Sequence, residues 1–190
     1  DYSSEKLDAL VDLVTEDGDF EGEKVIVFTR FAKMVDIAIA RLTKAKVKCV
    51  RVTGAEDEHG RKTAMDAFQD PKDPTQVIFI TMAGGDAINL QAAKALVFYD
   101  TPWSAGDYLQ ILGRMIRIGS DHDSVYALHL VARSTIDERV QAVVKKKMRL
   151  IEQVLGERVQ GKQAEDIIYE AGSDTKDLFE AMLRDARNGL

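Results

Sequence analysis

The fold is inferred first from the stretch Lys24-Val25-Ile26-Val27-Phe28-Thr29-Arg30-Phe31. Four consecutive apolar residues, Val25 to Phe28, are typical of a β-strand that is buried on both faces of a sheet. Thr29 and Arg30 end this run, and residues at helical spacing continue to about Thr43. The stretch therefore predicts a strand of a parallel sheet, a polar turn and a helix.

The same alternation of strands and helices continues along the rest of the chain. Further strands are predicted at 47–52, 77–80, 95–99 and 125–131. Helices are predicted at 4–14, 58–68, 106–120 and 134–155, with a weaker helical tail at 177–187. Strands that alternate with helices form βαβ units, so we expect an α/β fold in which a parallel sheet carries helices on both faces, plus a C-terminal helical extension.

Polar residues follow the predicted strands at their carboxyl ends, which is the edge where parallel sheets collect their ligands. Hydroxyls, amides and arginines supply most protein contacts to nucleic-acid phosphates, and Gly84-Gly85 can bring backbone amides close to a phosphate. For each residue alone, a solvated loop or a packing position is the simpler interpretation, and contact with a phosphate of a nucleotide or of DNA is the alternative. The candidates are Thr29, Arg30, Arg51, Thr53, Thr81, Gly84, Asn89 and Trp103.

The segment 106–120 separates into a polar and an apolar half on a helical wheel at about 100° per residue. Two arginines three residues apart on the polar half can bind separate phosphate oxygens of a polyanion such as a triphosphate. The alternative interpretation is two solvated arginines on an amphipathic helix. The polar half consists of Gln110, Gly113, Arg114 and Arg117.

Charge is distributed unevenly along the 190 residues, whose net charge is −6. Residues 1–23 contain nine acids and one lysine, a net charge of −8, and residues 165–190 contain seven acids and three bases, a net charge of −4. The segment 24–164 therefore carries a net charge of +6, which permits contact with nucleic acid without demonstrating it.

Several classes of protein are disfavoured by what the sequence lacks. It contains no apolar run of about 18 residues and no charged-then-apolar leader, so we expect a soluble protein, either cytoplasmic in a microbe or viral host cell, or nuclear. A single cysteine, Cys49, excludes a disulfide framework, and the three histidines lack metal-ligand spacing, so no metal site is predicted. There is no GxxxxGK[ST] phosphate loop and no GxGxxG after the first strand. Because the chain opens at Asp1 without methionine, we expect a fragment of a longer protein.

Four segments, in order along the chain, resemble motifs of the second RecA-like lobe of superfamily 2 helicases, and most closely those of the SWI/SNF-type DNA translocases. Residues 24–31 resemble motif IV, and Arg51-Val52-Thr53-Gly54 with Arg61 is similar to the family's R-x-x-G … R segment. Residues 81–93 resemble motif V (T-R-A-G-G-x-G-I-N-L-x-x-A), and residues 110–120 resemble motif VI (Q-x-x-G-R-x-x-R-I-G-Q). Ser134-Thr135-Ile136-Asp137-Glu138-Arg139 resembles the G-T-I-E-E-R element that precedes a bracing helix. The chain departs from the usual Arg, Gly, His and Gln of these motifs at Met82, Ala87, Ile116 and Ser120.

The resemblance implies roles for both sets of candidate residues. Arg114 and Arg117 would be arginine fingers, assisted by Gln110, that reach ATP and Mg2+ held mainly by a first lobe. The residues implied to face the nucleotide are Gly85, Asp86, Asn89 and Gly113. Those implied to contact the backbone of double-stranded DNA are Thr29, Arg30, Arg51, Thr53, Thr81, Gly84 and Trp103.

The resemblance also divides the chain into an N-terminal helix with an acidic linker (1–23), a RecA-like lobe (24–133), and a bracing helix with a helical tail (134–190). The implied function is the second motor lobe of an ATP-dependent DNA translocase or helicase, inactive on its own, with DNA and an N-terminal RecA-like lobe as partners and no membrane contact. Two alternatives stay open. One is a non-catalytic module, derived from such a lobe, that docks DNA or protein, and the other is a free-standing nucleotide-binding domain of Rossmann type.

Overall fold

The computed structural model describes residues 4–83, 90–115 and 126–156, with the backbone alone described for 113–115 and 147–156. These residues form five strands and five helices. They are α1 (Glu5–Val14), β1 (Val25–Phe28), α2 (Ala32–Lys44), β2 (Lys48–Val52), α3 (Glu58–Gln69), β3 (Thr75–Ile80), β4 (Ala95–Phe98), α4 (Ala105–Met115), β5 (Tyr126–His129) and α5 (Ile136–Gly156).

The strands form one parallel sheet in the order β2-β3-β1-β4-β5. β1 lies at the centre, where Val25 stands opposite Val77 of β3 and Ala95 of β4. The pairing of β1 with both neighbours runs without an offset to Phe28. The predicted α/β fold with a parallel sheet and helices is therefore confirmed.

The two faces of the sheet bury separate apolar clusters, because successive side chains of a strand point to opposite faces. Val25 and Val27 contribute to the cluster under α1 and α2, whereas Ile26 and Phe28 contribute to the opposite cluster. The first cluster includes Leu7, Leu10, Val14, Val35, Ala38 and Leu42, and the second includes Phe68, Ile78, Ile80, Leu90 and Ile111. α1 thus packs on the same face of the sheet as α2.

The helix starts follow from local capping. Ser4 accepts a hydrogen bond from Leu7 N at 3.2 Å at the start of α1, and Asp57 accepts one from Gly60 N at 2.7 Å at the start of α3. Such side chains satisfy backbone N–H groups that have no partner within the first helical turn. Both helices therefore begin within a residue of the predicted positions.

Four strands differ in length from the sequence prediction, and β2 and β4 do so by a single residue each. β3 begins at Thr75 rather than at residue 77, because Thr75 is buried against Asp73 and Gln76 donates to the carbonyls of Val14 and Phe20. β5 covers 126–129 rather than 125–131. The predicted helical residues 116–120 and 177–187 lie outside the described residues. None of the described helices is long and apolar enough to cross a membrane.

Lys24, just before β1, holds the loop between α3 and β3 at the amino edge of the sheet. Its ammonium group donates to the carbonyl oxygens of Asp70, Asp73 and Thr75 at 2.9, 3.1 and 2.8 Å. The same nitrogen lies 5.6 Å from the centroid of the Phe68 ring. Lys24 therefore links the start of the central strand to a turn that is about 50 residues away in sequence.

Candidate functional site

A cavity of about 550 Å³ opens at the carboxyl edge of the sheet, beyond the ends of β1, β2 and β3. The turns after these three strands meet here because parallel strands end at the same edge. The cavity brings together three of the predicted nucleic-acid contacts, Arg30, Thr53 and Thr81. Its remaining lining residues are Ala32, Gly54, Ala55, Met82 and Ala83.

The Arg30 guanidinium lies over aromatic rings at the mouth of this cavity. Its central carbon is 4.0 Å from the centroid of Trp103 and 5.4 Å from that of Phe31, whose side chain is 57% exposed. Within the described part of the chain this guanidinium makes no ion pair and no hydrogen bond. Stacking orients the planar group but leaves its N–H edge free to donate, so Arg30 can bind an anion.

Asp100, which follows β4, organises the turn that carries Arg30. The Thr29 hydroxyl donates to Asp100 Oδ2, and the Arg30 backbone N–H donates to Oδ1 and Oδ2 at 3.1 and 3.2 Å. Burial raises the pKa of Asp100, while the hydrogen bonds from Thr29 and Arg30 and the Arg30 charge act in the opposite direction. The predicted contact Thr29 is buried, and its hydroxyl proton is already given to a carboxylate.

A second carboxylate, Glu56, holds the turn after β2. The backbone N–H and the hydroxyl of Thr53 both donate to Glu56 Oε2, at 2.6 and 2.8 Å. Arg51 Nε lies 2.9 Å from Glu56 Oε1, close enough for an ion pair although no aligned hydrogen bond reaches that oxygen. Burial opposes ionisation of Glu56, but the hydrogen bonds from Thr53 and the Arg51 charge outweigh it and lower the pKa of the carboxyl.

The guanidinium groups of Arg51 and Arg30 therefore differ in how freely they can bind an anion in the cavity. The Arg51 guanidinium pairs with Asp36 as well as with Glu56, so its charge is largely compensated by neighbouring carboxylates. The Arg30 guanidinium makes no ion pair with a carboxylate in the described residues, although its charge acts on Asp100 at longer range. Of the two predicted arginines, the structure leaves Arg30 as the cation that faces the cavity.

The turn after β3 approaches the turn after β2 closely. Thr81 is buried, and its backbone N–H donates to the Val52 carbonyl at 3.4 Å. A Cβ placed on Gly54 would lie 3.0 Å from Ala83 Cβ, tighter than an ordinary contact. Glycine at 54 therefore allows these turns to form one wall of the cavity.

The predicted nucleotide-facing residues are described only in part. Gln110 lies on α4 with an exposed side chain, opposite the buried Ile111. Arg114 and Gly113 lie on the same helix, for which the backbone alone is described at these positions. The predicted residues Gly84, Gly85, Asp86, Asn89 and Arg117 lie outside the described residues.

The sequence predicted no functional role for four residues at this edge: Asp100, Glu56, Tyr108 and His129. The rings of Tyr108 and His129 stack with Phe98, the last residue of β4. The position of Asp100 could have indicated a role at this edge, because Asp100 directly follows a predicted strand, as Thr29 does. In the part of the chain that the structure describes, no group of three or more His, Cys, Asp or Glu side chains is placed to hold a metal ion.

Comparison with known proteins shows relatives along most of the chain. The family model described as helicase conserved C-terminal domain matches residues 5–119. ATP-dependent helicase fft2 of Schizosaccharomyces pombe is 32% identical over 130 residues, which cover 68% of this chain and 10% of that protein. ATP-dependent helicase FUN30 of Saccharomyces cerevisiae is 30% identical over 182 residues, which cover 91% of this chain and 16% of that protein.

A solved structure agrees with these sequence relatives. The crystal structure of the C-terminal part of the Fun30 ATPase domain matches with a TM-score of 0.64 and 26% identity, covering 74% of this chain and 45% of that one. The chain spans between 10% and 16% of the length of the two curated helicases. What these relatives share with the chain is therefore one lobe.

Proposed function

The chain belongs to the helicase conserved C-terminal domain family, with relatives among SWI/SNF-type ATP-dependent helicases, and from this premise we propose that it is the second motor lobe of an ATP-dependent DNA translocase. The observation that carries the proposal is the Arg30 guanidinium, which is stacked on Trp103 at the edge of the carboxyl-edge cavity and makes no ion pair in the described residues. A phosphate is the ligand that this arrangement suits.

The nucleic-acid contacts divide into direct and indirect ones. Arg30 binds a backbone phosphate, with Trp103 behind it, and Thr81 and Gly84 are proposed to contact the same strand of DNA. Thr29 acts through Asp100, and Thr53 and Arg51 act through Glu56, because these side chains already pair with carboxylates that keep the two turns in place. This division follows from the hydrogen bonds and ion pairs that each side chain already makes.

The second half of the proposal concerns ATP. Arg114 and Arg117 are proposed to act on a nucleotide that a first lobe holds together with Mg2+, and Gln110 to assist them. Arginines placed in this way stabilise the charge that develops on the transferred phosphoryl group. The remaining residues proposed to face the nucleotide are Gly85, Asp86, Asn89 and Gly113.

The test is DNA-stimulated ATP hydrolysis by the full-length protein. Arg114→Ala and Arg117→Ala, made separately, are each expected to lower kcat by roughly 10³-fold with DNA affinity retained, because arginine fingers act on the transition state. Arg41→Ala is the matched control, since Arg41 is exposed on the last turn of α2 and pairs with Asp8. Unchanged kcat in both finger variants would refute the assignment.

Two finer parts of the proposal need separate measurements. A competition assay with double-stranded and single-stranded DNA tests the proposed preference for the duplex. A full-length protein that binds DNA but never hydrolyses ATP would instead support the non-catalytic docking module. We propose that the protein acts where its DNA lies, in the nucleus or in the cytoplasm of a microbe or viral host cell, and fluorescence microscopy of the tagged protein tests this.

A further inference from the structure

Three nearly parallel rings lie between the sheet and the first turns of α4. The centroids of Phe98 and Tyr108 are 4.8 Å apart, those of Phe98 and His129 are 4.7 Å apart, and those of Tyr108 and His129 are 5.4 Å apart. The angles between the ring planes are 13–20°. Tyr108 lies one turn before Ile111, the buried contact of α4, so both residues lie on the sheet-facing side of the helix.

A chain of two hydrogen bonds crosses this ring cluster. His129 Nδ1 lies 3.3 Å from the Thr101 hydroxyl, and His129 Nε2 lies 3.2 Å from the Tyr108 hydroxyl. Burial, with a smaller contribution from the Lys145 charge, lowers the pKa of His129 to about 4. The imidazole is therefore neutral at neutral pH, with one donor and one acceptor nitrogen, and two hydroxyls match that pair because a hydroxyl can do either.

The two hydrogen bonds join three parts of the fold whose relative orientation apolar packing alone would not fix. Thr101 follows β4, His129 ends β5, and Tyr108 belongs to α4. Ile111 and the rings fix which side of α4 faces the sheet, but such packing is not directional. Hydrogen bonds are directional, since they weaken steeply as donor and acceptor lose alignment.

We infer that Tyr108, His129 and Thr101 are positioning residues that fix the rotation of α4 about its own axis, and with it the direction of the polar side of that helix. The inference rests on the proposed function for its catalytic consequence, because that polar side carries Gln110 and Arg114. A side-chain tip lies about 5–6 Å from a helix axis, so a rotation of about 10° displaces it by about 1 Å. A displacement of about 1 Å in a catalytic group can lower a rate by about 10²-fold.

The experiment uses Tyr108→Phe in the full-length protein, which removes one oxygen and keeps the stacked ring. The expected result is a fall of about 10-fold or more in kcat for DNA-stimulated ATP hydrolysis, with KM for ATP and Kd for DNA within about 2-fold of wild type. Tyr99→Phe is the control, because it removes the hydroxyl that contacts Ser4 at 3.2 Å and leaves α4 untouched. Its kcat is expected to equal that of wild type.

Thr101→Val tests the other end of the chain with a side chain of nearly equal volume. It should lower kcat in the same sense, and the double variant should lose less than the product of the two single losses because both act through His129. Amide hydrogen exchange in the 190-residue chain should be faster across α4 in Tyr108→Phe, with exchange in the sheet unaffected.

If the wild-type protein hydrolyses ATP in response to DNA and Tyr108→Phe keeps the wild-type kcat, the inference is wrong and the proposed function stands. If wild type shows no DNA-stimulated turnover, the proposed function fails and the inference fails with it.

Discussion

Arg30 offers the most direct test of the cavity as a DNA contact. Arg30→Met removes the positive charge and keeps an apolar side chain of similar length against Trp103 and Phe31. The Arg30 guanidinium makes no ion pair in the described residues, but its charge acts against the burial that raises the pKa of Asp100. If the melting temperature of Arg30→Met equals that of wild type, any loss of DNA affinity can be assigned to the missing contact with DNA.

The expected magnitude follows from this geometry. A hydrogen bond between a guanidinium and a phosphate contributes about 1.5–3 kcal/mol, so Arg30→Met should weaken DNA binding roughly 10- to 100-fold at low salt. Losing one phosphate contact should also reduce the slope of log K against log [salt] by about 0.9. Between 50 and 200 mM salt, the affinity ratio of wild type to variant should therefore shrink by about 3-fold.

The assay is fluorescence anisotropy with a labelled DNA duplex, measured at several salt concentrations within that range. Arg41→Met removes an equal charge from the opposite end of α2, where Arg41 pairs with Asp8, and should leave the slope unchanged. Arg30→Lys should keep most of the slope but lose affinity, because an ammonium group lacks the stacked planar fork. Equal slopes for wild type and Arg30→Met would show that Arg30 contacts no phosphate.

Three further predictions concern stability and the shape of the cavity. Lys24→Met should lower the free energy of unfolding by about 2–3 kcal/mol in urea titrations, because three carbonyls lose their donor. The control Lys62→Met breaks an exposed ion pair with Asp66 and should change the free energy of unfolding by less than about 0.5 kcal/mol. His129 has a folded pKa of about 4 against an ordinary 6.5, so the unfolded chain takes up the proton first as pH falls. The free energy of unfolding should therefore drop between pH 6.5 and pH 4 by about 2 kcal/mol after allowance for solvent screening, and parallel titrations of His129→Gln should lack that component. Gly54→Ala should weaken DNA binding about 5-fold or more at an unchanged melting temperature, because its Cβ would push Ala83 outward; unaltered affinity would mean that this wall does not touch DNA.

The elements with the strongest sequence signal were predicted almost to the residue. β1 coincides with Val25 to Phe28 because four apolar residues in a row have no other simple placement than a strand covered on both faces. α1 and α3 were predictable from Ser4 and the run after Asp57, since both caps are local. β3 was predicted two residues short because its first two residues are polar, and the carbonyls that bind Gln76, those of Val14 and Phe20, lie far away in sequence.

The partners of the site residues could not be predicted from the sequence, because they depend on the order of the strands. Thr29 contacts Asp100 only because β1 pairs with β4. Four elements, α2, β2, α3 and β3, separate these two strands along the chain. The pairing of Arg51 with Asp36 and Glu56 similarly requires the end of β2 to lie beside α2. A sequence pattern predicts which residues lie at the carboxyl edge. Whether the charge of such a residue is free to bind a ligand depends on the side chains that neighbouring elements place beside it.

The unbroken register of β1 bears on how this lobe would move in the proposed translocase. A slip of β1 by one residue would exchange Val25 and Val27 with Ile26 and Phe28 between two packed cores, so the sheet cannot yield by sliding its strands. Packed cores of this kind are stiff and transmit strain rather than absorb it. In the proposed translocase, a force applied at the Arg30 turn would therefore be transmitted through the sheet rather than absorbed by it.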